Sequence, residues 1–363
     1  MKRVINMIGM LSLGILISLA ACKKDELGPP LSNPPPTTPS NTWSIPVDEV
    51  LDGGPGKDGI PSIDNPQFVT VQEADVFLED NDLVVAARVG DDIRVYPHII
   101  LDWHEIVNDE VGGLALAIIY CPLTGTTMGW ERTVNGWLTE FGVSGLLYQT
   151  NLMPYDRQTN STWSQMLMKG VNGPLIEKQI EVYQTIETSW KTWKAAYPEA
   201  AVLSLETGFS RNYGRYPYGG YRTNNNFLFP INKNDSRLAA KERVLGVIFS
   251  ERVLAFRFDE FNNGTGVVQT DFEGLNLVVA GNQSKNLMVA YSAELEDGTL
   301  LAFEAVDEIE FPTILRDQEG TSWDVFGYGI SGPRMGQELP QVISLMGYWF
   351  TFPTFYDSSI YEF

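Results

Sequence analysis

Apolar positions along this chain gather into short runs of strand length cut by turn residues, rather than into long stripes of helical period. Residues 83–89 and 93–96 are two such runs. Residues 114–120 are continuously apolar, which fits a strand buried on both faces; a short buried helix is the alternative that pattern alone leaves open. Asn135-Gly136 and Asp297-Gly298 lie between apolar runs and predict hairpins, whose turn residues favour positive φ. Helical signals are few. Thr70-Val71-Gln72-Glu73 has the form of a capping box, and Trp190, Trp193 and Tyr197 share one helical stripe that stops at Pro198. The expected fold is α+β and β-rich.

The pattern also repeats, at an offset of about 160 residues, a period too long for a solenoid. Residues 83–89 with 93–96 correspond to 243–248 with 253–256, and 113–119 to 274–280. Asn135-Gly136 with Phe141 corresponds to Asp297-Gly298 with Phe303. Asp156, Trp163 and 170–174 correspond to Asp317, Trp323 and 329–333. Two tandem pseudo-repeats of a mixed strand and short-helix domain are expected over 43–206 and 241–363, joined by a Tyr/Arg/Gly-rich segment at 207–240. A unit of about 130 residues is the usual size of one core.

The chain begins like an exported protein. Lys2 and Arg3 give a basic start, 7–19 is almost uninterrupted apolar, and Leu19-Ala20-Ala21-Cys22 ends the run on small residues before a cysteine. The order resembles the lipobox of bacterial lipoproteins, which implies removal of 1–21 and lipidation of Cys22. The apolar run is short of the about 20 residues that a membrane-spanning helix needs. Lys24-Asp25-Glu26 resembles the surface-export signals of some lineages. Residues 22–42, with Pro34-Pro35-Pro36, read as a lipid-anchored, semi-rigid tether. The expected location is the cell envelope, at the outer membrane or cell surface, with the membrane as partner through the N-terminal lipid.

Charge and cysteine count narrow the picture. The net charge is −21, and loss of Lys2 and Arg3 with the signal takes it to −23. Such a surface repels phosphate backbones and anionic headgroups, so nucleic-acid binding is excluded as a function. Of two cysteines, acylation of Cys22 leaves Cys121 alone, so stability has to come from a core rather than a disulfide.

Several segments together carry a family resemblance. Gly59-Ile60-Pro61-Ser62-Ile63-Asp64-Asn65-Pro66, Tyr96-Pro97, 103–109, Tyr120-Cys121-Pro122-Leu123, 141–145 and Asp156-Arg157-Gln158-Thr159 resemble the family called domain of unknown function 3179. The resemblance spans most of the mature chain and implies no particular activity. Relatives usually continue Cys-Pro-Leu with a second cysteine; Thr124 stands there in this chain.

Reactive side chains concentrate in the first repeat. His98, His104 and Cys121 have Phe258, Thr265 and Asn282 as rough counterparts in the second. Three readings are open. In the first, Cys121 and His104 bind zinc or copper, with His98, Glu105 or Met128 completing the set. In the second, His104 lowers the pKa of Cys121 and activates it as the nucleophile of a thiol-dependent enzyme, with Asp102, Asn108 or Asp109 orienting the imidazole. In the third, Cys121 is a small buried hydrophobe and His104 a structural residue. Asp156 and Asp317 occupy one repeat position beside a tryptophan, which points to turn capping rather than to a glycosidase pair.

A binding function has its own signal. Residues 211–222 form a basic, aromatic island on an acidic chain, and Tyr213, Arg215, Tyr218 and Arg222 are candidate contacts for a glycan or peptide ligand. The bland alternative is a linker whose tyrosines pack onto the two repeats.

Overall fold

A computed structural model describes residues 42–362. The expected signal, Cys22 and all but the last residue of the tether lie outside the described residues. The chain is β-rich with short helices, as its pattern predicts. Among the described residues no helix is long and apolar enough to cross a membrane.

Strands Leu83–Val89 and Asp92–Pro97 pair antiparallel; Ile186–Ser189 lies beside the first and Ala201–Leu203 runs parallel to the second. Arg243–Phe249, Arg252–Arg257, Ser344–Tyr348 and Asp357–Ile360 are joined in the same order, again with one parallel pair. A short helix makes each parallel crossover, Trp190–Ala196 in one sheet and Thr351–Phe355 in the other. Three-stranded meanders follow, Ile106–Val111, Leu114–Cys121 and Thr126–Glu131 in the first half and Gly266–Phe272, Leu275–Asn282 and Leu287–Ser292 in the second. The apolar run at 114–120 is therefore strand, and the last six positions of that strand, 116–121, are buried.

The local signals read above have clear outcomes. Thr70 and Glu73 form the reciprocal capping box, and the Trp190 helix ends at Tyr197, its C-cap. Asn135 and Gly136 both take positive φ and join Thr133–Val134 to Trp137–Leu138. At Asp297-Gly298 only the glycine does, and the turn closes on a single bridge between Glu294 and Leu300. Asp156 accepts from the indole of Trp163 at 3.0 Å and from the amide of Thr159. Asp317 does the same with Trp323 at 3.0 Å and the amide of Thr321. Both carboxylates cap turns under a tryptophan.

The expectation of one core per half does not hold. Strand Leu83–Val89 is apolar on both faces: Val84 and Ala86 join one cluster, Val85 and Ala87 another. A half folded alone would leave one of these faces in water, and the second half covers it. Val84, Trp190 and Trp193 pack with Val278, Tyr291, Leu315 and Trp323, while Trp130, Phe141 and Trp163 share a cluster with Val244, Trp349 and Phe352. Ion pairs cross the same boundary, Arg88 to Asp324 at 2.7 Å and Arg243 to Glu187.

Candidate functional site

The helix His98–His104 begins after Pro97 and stops abruptly at Glu105. Glu105 has φ +58°, a left-handed conformation that usually falls to glycine or asparagine at this place and costs other residues roughly 1–2 kcal/mol. The reversal is held from both sides: the Glu105 amide donates to Leu101 O at 2.7 Å, and its carbonyl accepts from the Tyr120 amide at 2.7 Å. The turn leads directly into strand Ile106–Val111, and the Glu105 side chain ends up 6 % exposed at the base of a cleft.

Two carboxyl groups three residues apart, Asp102 and Glu105, line this cleft. Arg222 Nη2 donates to Asp102 Oδ1 at 2.5 Å and to the Tyr120 hydroxyl at 3.1 Å, and its guanidinium lies 4.0 Å over the Tyr216 ring. Burial still raises the Asp102 carboxyl to about 6, against the pull of Arg222 and His98. Among the described residues no cation pairs with Glu105. Its Oε1 accepts from the Tyr218 hydroxyl at 2.8 Å, and burial pushes the carboxyl up to about 7; the Tyr218 bond opposes the rise and Asp102 adds to it. Tyr216 and Tyr221 close the neighbourhood by donating to the carbonyls of Pro122 and Leu123.

The cleft has a volume of about 370 Å³. Ile60, Trp103, Leu123, Val143, Leu146 and Phe229 form apolar wall, and Arg211 is the one cation among the described lining residues. A mostly apolar concavity with a few convergent polar groups and displaced carboxyls is the usual form of a small-molecule site.

His104 and Cys121 do not meet as partners. His104 Nδ1 is 2.7 Å from Pro61 O and Nε2 is 2.7 Å from the Tyr213 hydroxyl, so both ring nitrogens are engaged; burial lowers the imidazole pKa. The carbonyl of Pro61, rather than Asp102, Asn108 or Asp109, orients the ring. Asn108 bonds Asp64 and the backbone of Phe141, and Asp109 accepts from Tyr96 at 2.7 Å. Cys121 is 1 % exposed under strand Asn151–Asp156, where its sulfur accepts from the Leu152 amide. Burial, with Glu105 adding to it, pushes the thiol up to about 11, the opposite of activation. His98 Nε2 lies 3.0 Å from Glu187 Oε2, and Met128 is a core residue against strand Leu114–Cys121. Among the described residues no three His, Cys, Asp or Glu side chains are arranged to hold a metal. Thr124 belongs to a polar network with Thr126 and Asn151.

The 207–240 segment supplies the other side of the site. Tyr218 and Arg222, read from the sequence as a separate binding island, bond Glu105 and Asp102 instead, and Tyr213 bonds His104 and Thr207. Arg215 is exposed and is held through its backbone: its carbonyl accepts from the Trp103 indole and its amide donates to the Asn212 carbonyl. Sequence reasoning missed the leading role of Glu105 and the part of Asp102. The available signal was their spacing, three residues apart, at the end of the short segment His98–Glu105.

Fold and site together define a β-rich protein with an apolar cleft built around a buried carboxyl. The chain belongs to the family described as Protein of unknown function (DUF3179), whose model matches residues 57–359. No curated protein and no solved structure matches it.

Proposed function

We propose that this chain is an envelope lipoprotein that binds a small ligand, or the apolar side chain of a peptide, in the Glu105 cleft. The observation that carries the reading is the conjunction at Glu105: a carboxyl held by a left-handed backbone, 6 % exposed, at the base of an apolar cleft. Strained backbone in a non-glycine residue has to be compensated by its surroundings and concentrates at functional sites. The apolar walls favour a hydrophobic body over a glycan, whose many hydroxyls would lose water there without partners. The metal and thiol readings have less support, since the nitrogens of His104 are engaged and Cys121 is covered.

The lipobox at 19–22 supports anchoring through Cys22, with the proline-rich segment as spacer. Matching strand order in the two halves supports a duplication in which the first copy keeps the site. The test of the binding reading is calorimetric titration with small aromatic alcohols against the chain and against Leu146→Trp, whose indole would fill the cleft. Saturable binding that the variant abolishes is expected; no binding, or binding indifferent to the variant, contradicts the reading.

A further inference from the structure

Of the two acidic side chains in the cleft, one is neutralised and one is not. Asp102 has Arg222 at 2.5 Å. Among the described residues Glu105 has the Tyr218 hydroxyl, on Oε1, as its hydrogen-bond partner, which leaves Oε2 to the cleft that the side chain lines. The charged and titratable groups facing it are Tyr218 from the 207–240 segment, Asp102 from its own helix and Cys121 from strand Leu114–Cys121; none is a cation. Arg211 lines the same cleft, but its side chain is exposed to water, which screens its charge.

A buried carboxylate without a countercharge is costly, so below about pH 7 the group stays protonated unless something supplies one. A ligand carboxylate would find no cation in the cleft but the water-screened Arg211, and would face a second anion once Glu105 ionises. A ligand hydroxyl would gain one neutral hydrogen bond. An ammonium would gain a charge-assisted bond to Oε2, and the aromatic residues Trp103 and Phe229, whose side-chain type suits a cation, line the same cleft.

Resting on the cleft reading above, we infer that the ligand carries a primary ammonium on an apolar body, the ammonium donating to Glu105 Oε2 while the body fills the apolar wall. A free amine and the N-terminus of a peptide with an apolar first residue share this chemistry. When the protonated carboxyl takes up an ammonium, its proton passes to solvent. With the carboxyl at about 7, binding therefore releases a proton below that pH and strengthens as pH rises towards it.

The experiment is titration calorimetry on the full chain in detergent, with protein-free detergent subtracted, using phenethylamine, 2-phenylethanol and 3-phenylpropionate. Phenylalanyl-glycine amide, free and N-acetylated, distinguishes the peptide source from the free amine. The expected result at pH 8 is phenethylamine about tenfold or more tighter than 2-phenylethanol. Its affinity should fall by about tenfold per pH unit below pH 7. In Glu105→Gln the amine should bind no better than the alcohol. If alcohol and amine bind equally to the natural chain, the ammonium inference is overturned and the cleft reading stands; if none of the three binds, the cleft reading fails as well. Should Glu105→Gln not fold, the pH profile of the natural chain decides, and a flat profile between pH 5 and 8 overturns the inference.

Discussion

Tyr218 donates its hydroxyl hydrogen to Glu105 Oε1 at 2.8 Å across 113 residues of chain. The bond joins a helix end in the first half to the tyrosine-rich connecting segment. It also partly offsets the burial of a carboxyl that has no cation at hand.

The raised carboxyls set a pH dependence of stability. Between the ordinary glutamate pKa and about 7, the unfolded chain has released a proton that folded Glu105 retains, so stability falls as pH rises through this window and is flat above it. A rise of this size corresponds to about 3 kcal/mol. Urea midpoints should decline from pH 5 to pH 8, and Glu105→Gln should remove much of the decline. An identical decline in the variant would contradict the assignment.

The backbone at Glu105 makes a second, independent prediction. At φ +58° a Cβ is strained and a hydrogen is not. Glu105→Gly should therefore be more stable than Glu105→Ala by about 1 kcal/mol, the reverse of their order in a helix interior. Both should lose the preference for an amine over an alcohol. Equal stability in denaturant titration would mean that the turn is not strained.

Cys121 should behave as a core atom rather than a reagent. With the thiol buried and pushed up to about 11, iodoacetamide should label it at least about 100-fold slower than free cysteine at pH 8, and rapidly once the chain is unfolded. Fast labelling of the folded chain would restore the thiol reading.

Anchoring is tested at Cys22. Labelled palmitate should enter the natural chain and not Cys22→Ser, which should also leave the detergent phase on phase separation. Retention of the label in the variant would remove the lipoprotein reading.

Much of the scaffold was legible because its signals are local. The apolar run at 114–120, the capping box at Thr70 and the tryptophan stripe of the Trp190 helix each declare an element within a few residues. The site was legible only in pieces. The sequence marks Asp102, Glu105, Tyr218 and Arg222, yet in three separate readings, since composition does not say where a connecting segment packs. Cys121, followed by Pro122, reads as the rim of a sheet; strand Asn151–Asp156, thirty residues on, covers it. The helix stop after His104 was also invisible, because a glutamate is not a stop signal. That stop sends adjacent side chains to different partners, His104 to Pro61 and Tyr213, Glu105 to Tyr218.

The most direct test of this account is the ionisation of Glu105 itself, followed by carboxyl ¹³C NMR of the glutamate-labelled chain and assigned by difference from Glu105→Gln. A midpoint near 7 is expected. A midpoint near that of a free glutamate would mean that the carboxyl is solvated or already paired, and the cleft built around it would lose its defining group.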